Sequence, residues 1–368
     1  MTKKFSLKQD LKKIKNFLIK DRLLIISGRN SYTKSGAKKI FNFSKSKNLR
    51  FFFKKSYIPE IKELKKIISL IKKFKPKKIL LIGGGAVMDL GKISNFLWNK
   101  KDLKKSIIKS NYKKEKNYAN LIAVPTTAGS GAEVTSNAVI YINKKKYSVE
   151  HKYIKPKKFI LYPELIKKNK NSLKSSAGFD AIAQAVESLV SVNSNSQSLN
   201  YSILSLKYGL KNYLSYLKNS NSINSKNMLL AANYSGKAIN LTKTTAPHAL
   251  SYPFTAHYGI SHGHAVSLTF TDFMKFNFEN MNKSITKFSL RDRLKILLKL
   301  TETQNLSELL KYFDNIKKKA KLEDSFKKLN ININKDLNLI TKDINLSRLS
   351  NNPVKVDFQT IKEILLKK

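Results

Sequence analysis

Four of the five histidines, His248, His257, His262 and His264, fall within seventeen residues, in the stretch PHALSYPFTAHYGISHGHAVS. A lone histidine is ordinarily a satisfied core or surface group, whereas a cluster of this density points to metal binding or proton transfer. The spacing is neither HExxH nor that of a zinc finger. Upstream, GFDAIAQAVES sets Asp180 and Gln184 four residues apart, on one face of a helix. A carboxylate oxygen and an amide oxygen there, joined by two imidazoles from the histidine stretch, make a donor set for a divalent transition metal. Taken alone, the upstream segment reads more plainly as a helix start with Asp180 near its N-terminus.

Two further segments suit an anionic cofactor. In KKILLIGGGAVMDLGK an apolar strand, Ile79 to Ile82, runs into Gly83, Gly84 and Gly85, and a helix starts near Ala86. Glycines let the backbone approach a phosphate, and a helix N-terminus supplies free N–H groups. The motif is neither GxGxxG nor a P-loop, and a tight strand-to-helix turn explains it equally well. Asp89 and Lys92, three apart on that helix, either meet ligand hydroxyls or pair with each other. In AVPTTAGSGAEVT a second strand leaves into Thr126, Thr127 and Ser130. Loops that follow consecutive parallel strands lie at one C-terminal edge, where ligands bind.

The elements that must carry these groups are legible from periodicity. Leu23 to Ile26, ending in Ser27-Gly28, and Phe51 to Phe53 read as strands. Ile61, Leu64, Ile67, Ile68 and Ile71 recur at helical spacing until Pro76. Strand–helix alternation of this kind predicts a parallel sheet with helices on both faces. After Pro163 strand-like runs become rare and long helical patterns take over. The expected fold is therefore α/β plus all-α, with domains at 1–163 and 164–368. The Lys/Asn-rich stretches 101–118 and 315–345 read as surface loops or solvated helix faces.

The chain has 368 residues and a formal net charge of +48. Of its 72 basic residues only six are Arg, and the Lys residues are spread along the whole chain. Nucleic-acid readers lean on Arg forks, so compositional drift toward A/T-rich codons explains the charge better than a nucleic-acid partner does. There is no cysteine, which excludes disulfides, thiolate metal sites and cysteine nucleophiles. MTKKFSLKQDLKKIKNFL lacks the apolar stretch of a signal peptide, and no run approaches the roughly 18–20 apolar residues of a membrane span. A cytoplasmic globular protein with no membrane partner is expected.

Taken together, GGGxxxDxxK, PTTAGSGxExT and the HAxxxxxxxxYxxxHG segment resemble the iron-containing alcohol dehydrogenase superfamily, over nearly the whole chain. The resemblance implies a Rossmann-like parallel-sheet domain followed by a helical domain, an architecture like that of dehydroquinate synthase. It also implies a metal held by Asp180, His248 and His262, with Fe2+ first and Zn2+ or Mn2+ as alternatives. At the fourth ligand position Gln184 stands where relatives carry His, and a neutral amide oxygen binds softer metals less well. Tyr252 likewise replaces a histidine near the nicotinamide, leaving Tyr252, His257 and His264 as proton-transfer candidates. Gly84 and Gly85, with Gly83 and Asp89 beside them, would seat NADPH or NADH, the Thr126–Gly131 loop would hold the nicotinamide, and Lys146 matches a lysine near its ribose.

The details are most similar to the phosphonoacetaldehyde reductase branch. The expected activity is metal-assisted reduction of a small anionic aldehyde, phosphonoacetaldehyde to 2-hydroxyethylphosphonate, with His151 a candidate phosphonate contact. Reduction of another small aldehyde, a polyol-phosphate dehydrogenase and a metal-free pseudoenzyme are the rival readings. After the first strand, Gly28-Arg29-Asn30-Ser31 carries no carboxylate to repel a 2′-phosphate, and Arg29 can pair with one, which favours NADPH. A homodimer is compatible with the sequence.

Overall fold

Alternation within the first strands sets up the architecture. In β3 (Lys78–Gly83), Ile79 and Leu81 enter one apolar cluster while Leu80 and Ile82 enter another. In β1 (Leu23–Gly28), Leu24 and Ile26 go with the first cluster, Leu23 and Ile25 with the second. A strand apolar on both sides must be covered on both faces, at a gain of about 1.5–3 kcal/mol for each large aliphatic side chain buried. The computed structural model describes residues 9–41, 43, 47–112, 116–143, 145–342 and 344–367. The expectation of no signal peptide falls partly on the first eight residues, and that for 101–118 partly on 113–115. Both stretches lie outside the described residues.

The chain divides into two units, residues 1–127 with 131–169, and residues 128–130 with 170–368. In the first unit, β1, β2 (Leu49–Lys54), β3, β4 (Asn120–Pro125) and β7 (Lys158–Phe159) form a parallel five-stranded sheet in the order β2-β1-β3-β4-β7. The helices of this unit are α1 (Gln9–Ile19), α2 (Arg29–Thr33), α3 (Ala37–Ile40), α4 (Ile61–Phe74), α5 (Gly85–Phe96), α6 (Leu103–Ile108) and α7 (Glu164–Lys167). Leu64, Ile67, Ile68 and Ile71 of α4 and Val87, Leu90 and Ile93 of α5 cover one face of the sheet, while Ile14 and Leu18 of α1 cover the other. The antiparallel hairpin of β5 (Asn137–Ile142) and β6 (Lys145–Glu150) was not legible in the periodicity. It is held to α5 by Lys92, a fully buried lysine whose Nζ donates to Thr135 Oγ1 and the Asn137 carbonyl, both at 2.9 Å.

The second unit is helical. It comprises α8 (Asn171–Val190), α9 (Ser196–Lys218), α10 (Ser222–Thr242), α11 (Ala246–Tyr258), α12 (His262–Glu279), α13 (Leu290–Thr301), α14 (Leu306–Lys319), α15 (Ile333–Lys342), α16 (Leu346–Leu349) and α17 (Phe358–Leu366). The stretch 315–345 differs from its expected solvated character. Phe326, Ile331, Ile333 and Ile340 are buried with Phe254 and Leu268. Their apolar side chains are few and well spaced, so the intervening Lys and Asn residues hide the pattern. Among the described residues, no helix is long and apolar enough to cross a membrane.

Candidate functional site

Three buried helices of the second unit bring Asp180, His248 and His262 together. Their candidate ligand atoms all lie within 4.8 Å of one another. Asp180 comes from α8, His248 from α11, and His262 opens α12. Close approach of α12 to α8 depends on Gly263. A Cβ there would lie 1.9 Å from the Ser176 carbonyl oxygen and 2.8 Å from Asp180 Cβ. Only glycine lets the chain pass at that distance, and it sets His262 beside Asp180.

The orientation of His248 is fixed from behind. Its Nδ1 lies 2.5 Å from Glu187 Oε1, and its Nε2 lies 3.2 Å from Asp180 Oδ1. The other oxygen of Glu187 accepts from the Thr245 N–H at 2.7 Å and the Thr245 hydroxyl at 2.9 Å. With Nδ1–H donating to Glu187, the Nε2 lone pair is left to face Asp180, the arrangement in which a carboxylate orients a metal-binding imidazole. Glu187 was missed as a site residue. Its signal is simple: Asp180, Gln184 and Glu187 recur at i, i+4 and i+7, so they share one face of α8. All three are at most 4 % exposed.

Burial opposes charge on His248, but Glu187 and Asp180 outweigh it and push its pKa up to about 9. Burial likewise raises the Asp180 carboxyl, and its hydrogen bond from His248 and the charges of His262 and His248 outweigh this and hold it below the usual carboxylate range. One carboxylate, Asp180, and two imidazoles, His248 and His262, converge and fit a divalent cation, whose charge would replace that of the His248 proton, with Glu187 behind the ring. Gln184 fits with one adjustment. Its amide is hydrogen-bonded to Asp180, and its Oε1 lies 3.1 Å from Ser235 Oγ. Ser235 Oγ is also 3.0 Å from the Ala232 carbonyl and has one proton to donate. With that proton on Ala232, the Gln184 amide can turn over, give its NH2 to Ser235 and present its oxygen to the cation position.

The proton-transfer candidates separate. The buried Tyr252 ring stands beside His262, with centroids 6.0 Å apart and planes at 25°. His264 Nε2 is 2.7 Å from the Glu323 carbonyl, so it carries the proton and is committed to a structural bond. His257 is half-buried near the end of α11.

In the first unit, the glycine turn and the threonine loop lie side by side after β3 and β4, with Thr126 N–H donating to the Gly83 carbonyl at 3.0 Å. A Cβ on Gly84 would come within 3.2 Å of Thr127 Oγ1. Gly84 caps α5 and Gly85 begins it, leaving N-terminal amides for an anion. These features fit a dinucleotide pyrophosphate. Asp89, on the first turns of α5, has its carboxyl raised by burial to about 6, against the opposing pull of Lys92, the Val139 N–H and Lys146. Lys92 is lowered to about 8, chiefly by burial. Its amine is spent on the hairpin, so only Asp89 of that pair remains a ligand candidate.

Gly28, Arg29, Asn30 and Ser31 line a cavity of about 360 Å³ together with Phe53, Lys54 and Lys55 from the end of β2. Arg29 sits 5.3 Å over the Phe53 ring. Lys54 and Lys55 were not singled out in the sequence, because only sheet order places the end of β2 beside the end of β1. His151 caps a short 3-10 turn, accepting from the Tyr153 N–H at 3.3 Å, and stacks on Phe96 at 4.8 Å. Ser130, of the threonine loop, lies within the segment grouped with the helical unit.

Comparison with known proteins agrees with this geometry. Residues 2–163 match the family model of iron-containing alcohol dehydrogenases, and residues 174–368 match the model of the Fe-containing alcohol dehydrogenase C-terminal region. The 4-hydroxybutyrate dehydrogenase of Clostridium kluyveri is 28% identical over 67% of this chain and 67% of its own length. The phosphonoacetaldehyde reductase of Streptomyces viridochromogenes is 30% identical over 43% of this chain and 40% of its own. Less than half of that second relative is therefore spanned. The sulfoacetaldehyde reductase of Bifidobacterium kashiwanohense, solved with NAD+, shares the fold with a TM-score of 0.85 at 22% identity, over 100% of this chain and 96% of its own. With both halves matched in order and the Asp–His cluster assembled from the second, the chain belongs to the iron-containing alcohol dehydrogenase family.

Proposed function

We propose that the protein reduces a small anionic aldehyde to its primary alcohol with NADPH, phosphonoacetaldehyde being the first substrate to test. The observation that carries the reading is the buried Asp180–His248–His262 cluster with Glu187 behind it, in a chain matched by both family models. Bound there, a divalent ion would supply a Lewis acid for a carbonyl oxygen, and a bound nicotinamide would supply hydride. The chain's own residues do the rest. Glu187 holds His248 in one tautomer, and Gly263 holds His262 in place. Gln184, once its amide is turned over from its present bond to Ser235, would supply an amide oxygen in the fourth position. Gly84, Gly85 and the amides opening α5 seat the pyrophosphate, with Asp89, Thr126, Thr127, Ser130 and Lys146 as further cofactor contacts. Of the proton-transfer candidates Tyr252 is preferred, because its ring adjoins His262.

NADPH is favoured over NADH by Arg29, Lys54 and Lys55 around the cavity at the end of β1, whose lining contains no carboxylate. A 2′-phosphate finds three cations there. Arg29→Asp should lower kcat/KM for NADPH by roughly ten-fold or more, with little change for NADH, on the scale of one charge-assisted contact. An equal effect on both cofactors would remove the 2′-phosphate assignment.

The two curated relatives act on substrates with a charged end, by their names 4-hydroxybutyrate and phosphonoacetaldehyde. The longer match favours a carboxylate-bearing substrate as the second reading. The test is NADPH oxidation with phosphonoacetaldehyde, succinic semialdehyde and neutral aldehydes of similar size, before and after chelation and metal restoration. Turnover of the phosphonate, lost on chelation and restored by metal, is expected. Absence of turnover with any aldehyde under any metal would overturn the enzyme reading.

A further inference from the structure

At the edge of the sheet opposite the glycine turn, where the parallel strands begin, lies a cavity of about 740 Å³. Its position follows from register. Arg22 precedes β1, Lys77 precedes β3 and Lys157 precedes β7, and parallel pairing brings these ends to one side. The Lys77 N–H donates to the Arg22 carbonyl at 3.0 Å, and the Asn120 N–H to the Lys77 carbonyl at 3.1 Å, so the rim is set by backbone. Lys75 and Lys116 bring the cations of the lining to five, and no carboxylate is among the lining residues. Asp21 offsets only part of this charge: it pairs closely with Lys78 at 2.7 Å and, at 3.9 Å, with Lys77, whose side chain is 73% exposed.

The wall is also aromatic. Tyr118 and Tyr153 line the cavity, and Tyr153 is 45% exposed. Asn117, also in the lining, donates its amide to the Tyr153 carbonyl and so ties the two tyrosine-bearing segments together. The volume is in the range of sites for whole small molecules and far exceeds what a single phosphate needs.

We propose that this cavity is a second ligand site, separate from the cofactor turn, that takes a nucleoside polyphosphate. Arg22, Lys77 and Lys157 hold the phosphates, and the tyrosines face the base.

The single tryptophan is a built-in reporter. Trp98 Nε1 donates to the Lys116 carbonyl at 3.3 Å, and its ring meets Tyr118 edge-on at 4.9 Å. Titration of the full chain with ATP at physiological salt should change Trp98 fluorescence saturably. In Lys77→Glu/Lys157→Glu, both exposed positions, binding should weaken by roughly ten-fold or more, the scale of lost charge-assisted phosphate contacts. Lys311→Glu/Lys318→Glu carries the same charge change on the exposed face of α14 and should bind as wild type. Tripolyphosphate should bind more weakly than ATP. Four results would each overturn the proposal: no saturable signal; equal weakening in both double variants, which marks diffuse attraction to a +48 chain; tripolyphosphate as tight as ATP; or binding lost in Arg29→Asp and kept in Lys77→Glu/Lys157→Glu, which places ATP at the cofactor turn.

Discussion

A proton on His248 Nε2 faces Asp180, where a cation held by Asp180, His248 and His262 would lie. The sign of its pH dependence follows. Its pKa rises from 6.5 to about 9 on folding, so the stability it gives the metal-free protein is full below pH 6.5 and is lost as pH rises through about 9. Metal binding must displace that proton, so affinity should fall by up to about ten-fold per pH unit as pH drops below about 9, with about one proton released near neutrality, as calorimetry in buffers of different ionisation enthalpy would measure. Pairing Nδ1 with Glu187 underlies this. Glu187→Gln should reduce metal content and affinity roughly 10–100-fold with the fold retained. Unchanged affinity would mean that Glu187 only packs. Gln184→His should tighten Zn2+ and Fe2+ binding by about ten-fold or more, a gain traceable to replacing an amide oxygen with an imidazole. That Asp180, His248 and His262 come together was expected from the family resemblance, and their ligand atoms do lie within 4.8 Å of one another. Glu187 shares the i, i+4, i+7 face of α8 with Asp180 and Gln184, but its pairing with His248 Nδ1 and the end-for-end freedom of the Gln184 amide depend on Thr245 and Ser235, which stand on or beside other helices.

Helix α8 shows what periodicity reveals and what it conceals. Its chemistry recurs at i, i+4 and i+7, yet almost its whole surface is buried, so no polar face marks the site out. The parallel strands were legible because each is a short apolar run ending in a turn. The β5–β6 hairpin was not, since β6 has the sequence KKYSVE and carries little apolar alternation. Sheet order was likewise hidden. It places Lys54 beside Arg29 and Lys77 beside Arg22, and the two cavities described above depend on it. Contact between α8 and α12 is the element-scale feature most open to test. Gly263→Ala puts a methyl against the Ser176 carbonyl, which backbone cannot yield cheaply. It should cost about 1–3 kcal/mol in thermal or denaturant unfolding and should also cost metal, because His262 is adjacent. Loss of stability with full metal retention would show that α12 can shift without moving His262.

At the scale of the whole molecule the charge of +48 is a burden the fold tolerates. With 24 carboxylates against 72 cations, most lysines have no acid to pair with. Several of the acids present are taken by buried or half-buried partners, such as Asp314 and Asp324 on Lys317, and Glu187 and Asp180 on His248. Surface ion pairs contribute little, so the dominant electrostatic term among exposed groups is repulsion between lysines, and it acts against the compact state. Repulsion of this kind is screened over about 10 Å at 0.1 M salt and about 3 Å at 1 M. The Asp180–His248–His262 cluster behaves differently, being largely buried and short-range. Raising NaCl from about 0.05 to about 0.5 M should therefore raise Tm by several degrees while leaving metal content unchanged. Scanning calorimetry with parallel metal analysis separates the two terms. A Tm that is flat or falling with salt would show that the lysines are spaced widely enough for repulsion not to matter, and a loss of metal with salt would show that the Asp180 cluster is open to the solvent ions.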